Sequence, residues 1–231
     1  MEPSRGRDGQ DHLIDRSKAR PRAETRAAIL RAAEALFGER GYAGVSARDV
    51  ARRAGVNKAL VFYHFETMER LFEAVLDRYY EAQGAALAGA FEGAGSLRDR
   101  VVRLLESYVD FMDAHRLFPR LVQQEVSRKG PAVSKIRTNV AGLLEWAERA
   151  LGDALPAKGP LSPRHFYLTL GGMVIQYYAY APALAGAWGI DPLGEEARRE
   201  RREHLRWVVD AILEKLERDA RPRRARRAPR R

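Results

Sequence analysis

At 231 residues the chain has room for one domain or two small ones, and its 45% hydrophobic and 31% charged residues suit a globular protein, not a fibrous or disordered one. The lack of cysteine excludes disulfide frameworks, thiolate zinc sites and cysteine nucleophiles, and fits a reducing cytoplasm. The net charge of +10 is uneven: seven arginines lie in Arg221–Arg231, Arg20–Phe65 holds nine Lys and Arg against four Asp and Glu, and residues 66–220 are mildly acidic. A basic N-terminal module of this kind suits a polyanionic partner.

Residues 1–20 combine charge with glycine and have no apolar run of signal-peptide length, so they read as a disordered arm. A first helix is expected from Arg22 to Arg40, where Ile29, Ala33, Leu36 and Phe37 recur three and four apart, and Gly41 ends it. Ser46, with Asp49 as a short capping-box partner, opens a second helix to about Arg53. Ala54, Gly55 and Val56 form a tight turn, and Asn57 caps a third helix from Lys58 to about His64. Thr67 caps a longer fourth, with Leu71, Phe72, Val75, Leu76, Tyr79 and Tyr80 on its buried stripe.

Past the break at Gly93–Gly95, Ser96 and Asp99 open a fifth helix to about Ala114. Others are expected at about Phe118–Arg128, Pro131–Leu151, Ser162–Ala181 and Glu195–Arg218. Phe166–Ile190 is 25 residues without a formal charge, long enough to span a bilayer. Gln176, Pro182 and tyrosines in mid-segment instead suit a buried helix followed by a Gly/Pro/Ala loop, so no membrane partner is expected. No alternating strand pattern or hairpin turn occurs. The fold class is therefore all-α, about nine helices, divided into a reader over residues 21–66 and a larger bundle over 67–218, with a disordered arginine-rich tail over 219–231.

Two short helices joined by a glycine turn form a helix-turn-helix, whose second helix enters the major groove of duplex DNA. Val50, Ala51, Val56 and Val61 would fix the pair against the first helix. The run VSARDVARRAGVNKALVFYHFETMERLFEAVLDRY, preceded by TRAAILRAAEALFGERGYAGVS, resembles the DNA-binding region of the tetracycline-repressor (TetR) family of bacterial regulators over about Arg22–Tyr80. From Ser96 onward the resemblance is only to that family's general plan of a helical ligand-binding and dimerisation domain. The resemblance implies phosphate-facing roles for Ser46 and Arg48, base-edge contacts from Lys58, Ala59 and Leu60 beside the cap Asn57, and backbone contacts from Tyr63 and His64. Two departures are that Phe62 stands where a tyrosine hydroxyl is usual and Met68 where a lysine is frequent. Leu60 has no hydrogen-bond donor and would meet a thymine methyl.

The five histidines form no His-x-x-x-His pair, no carboxylates cluster at metal-ligand spacing, and the glycines match no phosphate loop, so neither catalysis, nor a metal, nor a cofactor is expected. The C-terminal region holds side chains suited to an apolar cavity with a few polar groups: Phe111, His115, Phe118, Trp146, Phe166, Met173, Gln176 and Tyr177, with Met112 and Tyr178 nearby. An apolar or aromatic small-molecule effector follows from that composition. Leu170 and Val174, with Leu205, Val208, Val209 and Ile212, offer an apolar surface for a two-fold homodimer. The expected function is a cytoplasmic, ligand-released dimeric repressor on a palindromic operator. The alternative is an architectural DNA-binding protein without sequence preference.

Overall fold

The computed structural model describes residues 21–152, 154–160 and 162–227, with side chains to position 218. The arm expected over residues 1–20 and the last four positions lie outside the described residues. Among the described residues the protein is all-α, with nine helices and no strand. They are α1 Arg22–Arg40, α2 Ala47–Ala54, α3 Lys58–Phe65, α4 Met68–Glu92, α5 Leu97–Ala114, α6 Phe118–Arg128, α7 Val133–Leu151, α8 Pro163–Trp188 and α9 Glu195–Arg227.

Helix α1 packs on α2 and on the first half of α4, and α3 bridges α2 and α4. The core beneath them joins Ile29, Leu36 and Phe37 of α1 to Val50 of α2, Val61 of α3 and Leu71, Phe72 and Leu76 of α4, each at most 2% exposed. Phe37 meets Phe72 edge-on at 4.9 Å between ring centroids, and Tyr42, from a short 3-10 turn, lies 4.9 Å from Phe72. Full burial of one such side chain contributes about 1.5–3 kcal/mol, so this small module rests on few residues.

In the larger bundle α4 packs on α5 and α7, α5 on α8 and α9, and α8 on α6 and α7, while α6 also reaches back to α1. Ion pairs seam α5 to α9: Arg98 to Asp210 at 2.6 Å, Arg202 to Asp110 at 2.8 Å, and Arg206 to Glu106. Asp113 is the hub of that seam, accepting from Tyr178 Oη at 2.9 Å and pairing with Arg198 at 3.2 Å.

Two helices outrun their expected ends. Helix α8 continues through Pro182 to Trp188, and Gly189, in the left-handed region at φ 69°, closes it by donating to Ala185 O. The Ala-rich stretch after Ala181 favours helix strongly enough to absorb one missing N–H, so the loop expected there is absent. Helix α9 extends to Arg227, so residues 219–227 are helical and not the disordered tail expected from their charge. Arginine and alanine are both good helix formers, and the helix runs on through Pro222 at the loss of one backbone N–H. No described helix is long and apolar enough to cross a membrane.

Candidate nucleic-acid interface and effector cavity

Local sequence sets the helix-turn-helix with hydrogen bonds at every junction. Ser46 Oγ accepts from the Asp49 amide at 3.3 Å while Asp49 Oδ2 accepts from the Ser46 amide at 3.1 Å, a closed capping box. The Ser46 hydroxyl also donates to Asp49 Oδ2 at 2.6 Å, and this bond, followed by the one from the Ser46 amide, holds the Asp49 carboxyl below its ordinary value. At the other end of α2, Val56 N donates to Ala51 O at 3.0 Å and Gly55 N to Arg52 O at 3.4 Å, the two bonds of a Schellman stop. That stop requires Gly55 at φ 68°, where a Cβ is disfavoured. Asn57 Oδ1 then caps α3 by accepting from Leu60 N at 2.9 Å.

The capped helix is two-faced. Val61 and Phe65 are buried, whereas Lys58, Ala59, Phe62 and Tyr63 share the opposite, exposed face, Tyr63 at 62%. Ser46, Arg48 and Asn57 are exposed as well. Of the residues expected to meet DNA, only Leu60 and His64 are half-buried. Lys58 Nζ sits 5.4 Å from the Phe62 ring, which gives that aromatic the cation in place of the absent hydroxyl. Met68, in the position of the frequent lysine, packs against the core.

Sequence reasoning missed two features. Arg22 lies 5.2 Å over the Tyr63 ring and Arg26 lies 4.9 Å over Phe65, so the start of α1 adds two cations beside the end of α3. Burial, then these two cations, hold the His64 imidazole below its ordinary value. Glu66 turns the chain between α3 and α4 at φ 61°, ψ −54°, with Thr67 N donating to Phe65 O at 2.6 Å, a γ-turn of the rarer hand. Nothing in a glutamate announces such a turn; the cation pairs were hidden because spacing within α1 reports its buried face and not its neighbours.

The residues expected to line one cavity divide among several places. Trp146 and Phe166 do line an apolar cavity of about 50 Å³ enclosed by α4, α5, α7 and α8. Its other walls include Gln83, Leu87 and Phe91 of α4, Tyr108 of α5 and Tyr167 of α8. Phe111, His115 and Phe118 instead gather around Tyr79: Phe118 stacks on it, and the rings of Phe111 and His115 lie 5.0 and 5.4 Å away. His115 and Phe118 also border a separate cleft toward α1. Tyr177 donates to Pro192 O and carries Arg201 at 5.3 Å over its ring, Met173 is half-buried, and Gln176 is exposed. Spacing marks these aromatics as inward-facing but not which neighbour each meets. Leu170, Val174, Leu205 and Val209 are at most 7% exposed within a single chain, so they are core, and only the half-buried Val208 and Ile212 retain accessible surface. The exposed large apolar residues of α8 and of the described side chains of α9 are instead Leu168 at 63%, Tyr180 at 46%, Trp188 at 52% and Trp207 at 69%. No group of three or more His, Cys, Asp or Glu among the described residues could hold a metal ion.

Residues 29–75 match the family described as bacterial regulatory proteins, tetR family. The HTH-type transcriptional repressor Rv3405c of Mycobacterium tuberculosis is 34% identical over 202 residues, spanning 85% of this chain and 91% of that protein. Among solved structures, AibR in complex with isovaleryl coenzyme A and operator DNA has a TM-score of 0.63 at 16% identity, covering 80% of this chain and 97% of that one. The ketosteroid transcriptional regulator KstR2 of Mycobacterium tuberculosis has a TM-score of 0.60 at 18% identity, covering 80% and 93%. These two structures share the fold of this chain.

Proposed function

Because the chain belongs to the TetR family of DNA-binding transcriptional regulators, we propose that it is a cytoplasmic homodimeric repressor that binds a palindromic operator sequence-specifically and that a small apolar effector releases from it. The observation that carries this reading is the layout of α4. Its first half supplies Leu71, Phe72, Val75 and Leu76 to the core under the helix-turn-helix, and its second half supplies Gln83, Leu87 and Phe91 to the cavity wall. A cavity of about 50 Å³ holds a few waters at most, so a ligand must spread its walls and thereby displace α4. Displacing α4 moves the surface on which α3 rests.

Within the reader, Arg48 and Lys58 would neutralise phosphate, Lys58, Ala59 and Leu60 would face base edges, and Tyr63 and His64 would meet the backbone. The second copy would dock on the exposed faces of α8 and α9, around Leu168 and Trp207. A selection of bound duplexes from a random pool tests the reader: an enriched palindrome supports it, and binding without sequence preference favours the architectural alternative. For release, linkage requires operator DNA to weaken effector binding by the factor by which effector weakens operator binding. Equal effector affinity with and without operator, by calorimetry, would refute control of the reader by the cavity.

A further inference from the structure

The cavity contains a polar atom that the fold leaves without a partner. Gln83 is 4% exposed, and its Oε1 accepts no hydrogen bond. Buried side-chain acceptors are nearly always paired, and a lone one at a cavity wall marks the place where a donor is missing. The same side chain lies beside the phenol of Tyr108, on which it acts in the direction that favours ionisation, against the larger effect of burial. Burial holds the phenols of Tyr108 and Tyr167 above their ordinary value, so both remain neutral across the physiological range. Among the described residues the lining carries no charged side chain, and the remaining walls are dominated by Phe91, Trp146, Phe166 and leucines.

From this we infer that the effector is an uncharged, mostly flat apolar molecule bearing one hydrogen-bond donor, a hydroxyl or N–H, that ends on Gln83 Oε1. The inference rests on the reading of this cavity as the effector site. A carboxylate or phosphate is excluded because its charge would be buried with no counter-ion in the lining. A flat ring system fits the aromatic walls by stacking and edge contacts. The donor also gives the ligand a grip on α4: Gln83 lies about three turns along that helix from Phe72, beneath the reader.

The test is calorimetric titration of the full-length protein with three probes of one shape: 2-naphthol, 2-methoxynaphthalene and 2-naphthoate. Naphthol should bind at least tenfold more tightly than its methyl ether, and naphthoate should show no measurable binding. In Gln83→Leu the naphthol affinity should fall to that of the ether while the ether changes less than twofold. Gln83→Met, closer in length, serves if the leucine variant fails to fold. Equal affinity of naphthol and ether for the parent, or a preference that survives loss of Gln83, would overturn the donor assignment while leaving the cavity as a ligand site. Tight binding of naphthoate would overturn the exclusion of anions. If none of the three binds, the cavity is not an effector site and both readings fall.

Discussion

In the proposed interface Arg48 and His64 would divide the electrostatics of DNA binding in ways that titration separates. Arg48 is exposed in α2, and each phosphate a cation neutralises adds about 0.9 to the slope of log affinity against log salt. Arg48→Ala should therefore weaken binding to every duplex and flatten that slope by about 0.9; an unchanged slope in a salt series would remove Arg48 from the interface. His64 is held below its ordinary value in the free protein by burial and by Arg22 and Arg26, whereas a neighbouring phosphate favours the imidazolium. Binding then takes up a proton, so operator affinity should rise as pH falls toward and below 6.5, and His64→Gln should abolish that rise. Glu66 sits at φ 61°, where a non-glycine residue stores about 1–3 kcal/mol, more than the roughly 0.5–1 kcal/mol that glycine loses in chain entropy. Glu66→Gly should raise the melting temperature; a fall would show that the turn is not strained. The caps at Ser46, Asn57 and Thr67 were legible in sequence because each is one side chain bonding three residues ahead. Glu66 was not, because its conformation is imposed by α3 and α4 packing on either side.

At the level of elements, the joint between the two halves is narrow enough to probe with one methyl group. A Cβ on Gly38 of α1 would lie 2.8 Å from the Leu117 side chain just ahead of α6. Gly38→Ala should therefore push α6 from α1 without touching the exposed face of α3. The expected outcome is an operator affinity that no longer responds fully to effector, with effector binding retained; normal release would show that α6 plays no part in coupling. Helix existence was legible throughout, from apolar spacing, from caps at Ser46, Asn57, Thr67 and Ser96, and for α8 from its long uncharged run. Helix ends were less so, for a physical reason. Pro182 is locally a breaker, but α8 gains more from its packing and from its alanine-rich sequence than one lost hydrogen bond removes.

For the whole molecule, the proposed dimer would cover the exposed faces of α8 and α9. Sequence showed that α8 and one stripe of α9 are apolar but not that Leu170, Val174, Leu205 and Val209 are buried inside the single chain, because an inward stripe and an interface stripe have the same spacing. Leu168→Glu with Trp207→Glu changes only exposed positions, so the protein should fold, run as a monomer by light scattering, and lose operator affinity. A dimer that survives both changes would place the interface elsewhere. The proposed dimer would matter to readout because one eight-residue helix spans few base pairs, whereas a two-fold pair would engage half-sites about 34–36 Å apart.

The tightness of the cavity has a thermodynamic side. If the ligand-ready arrangement is a minor population, the apparent effector affinity is the intrinsic one multiplied by that population. Sensitivity to the inducing molecule is then set partly by how readily the α7 wall yields. Leu151, 4% exposed and part of that wall, is a place to adjust it. Leu151→Val should lower the melting temperature yet shift derepression to smaller effector concentrations, a gain in responsiveness drawn from lost rigidity.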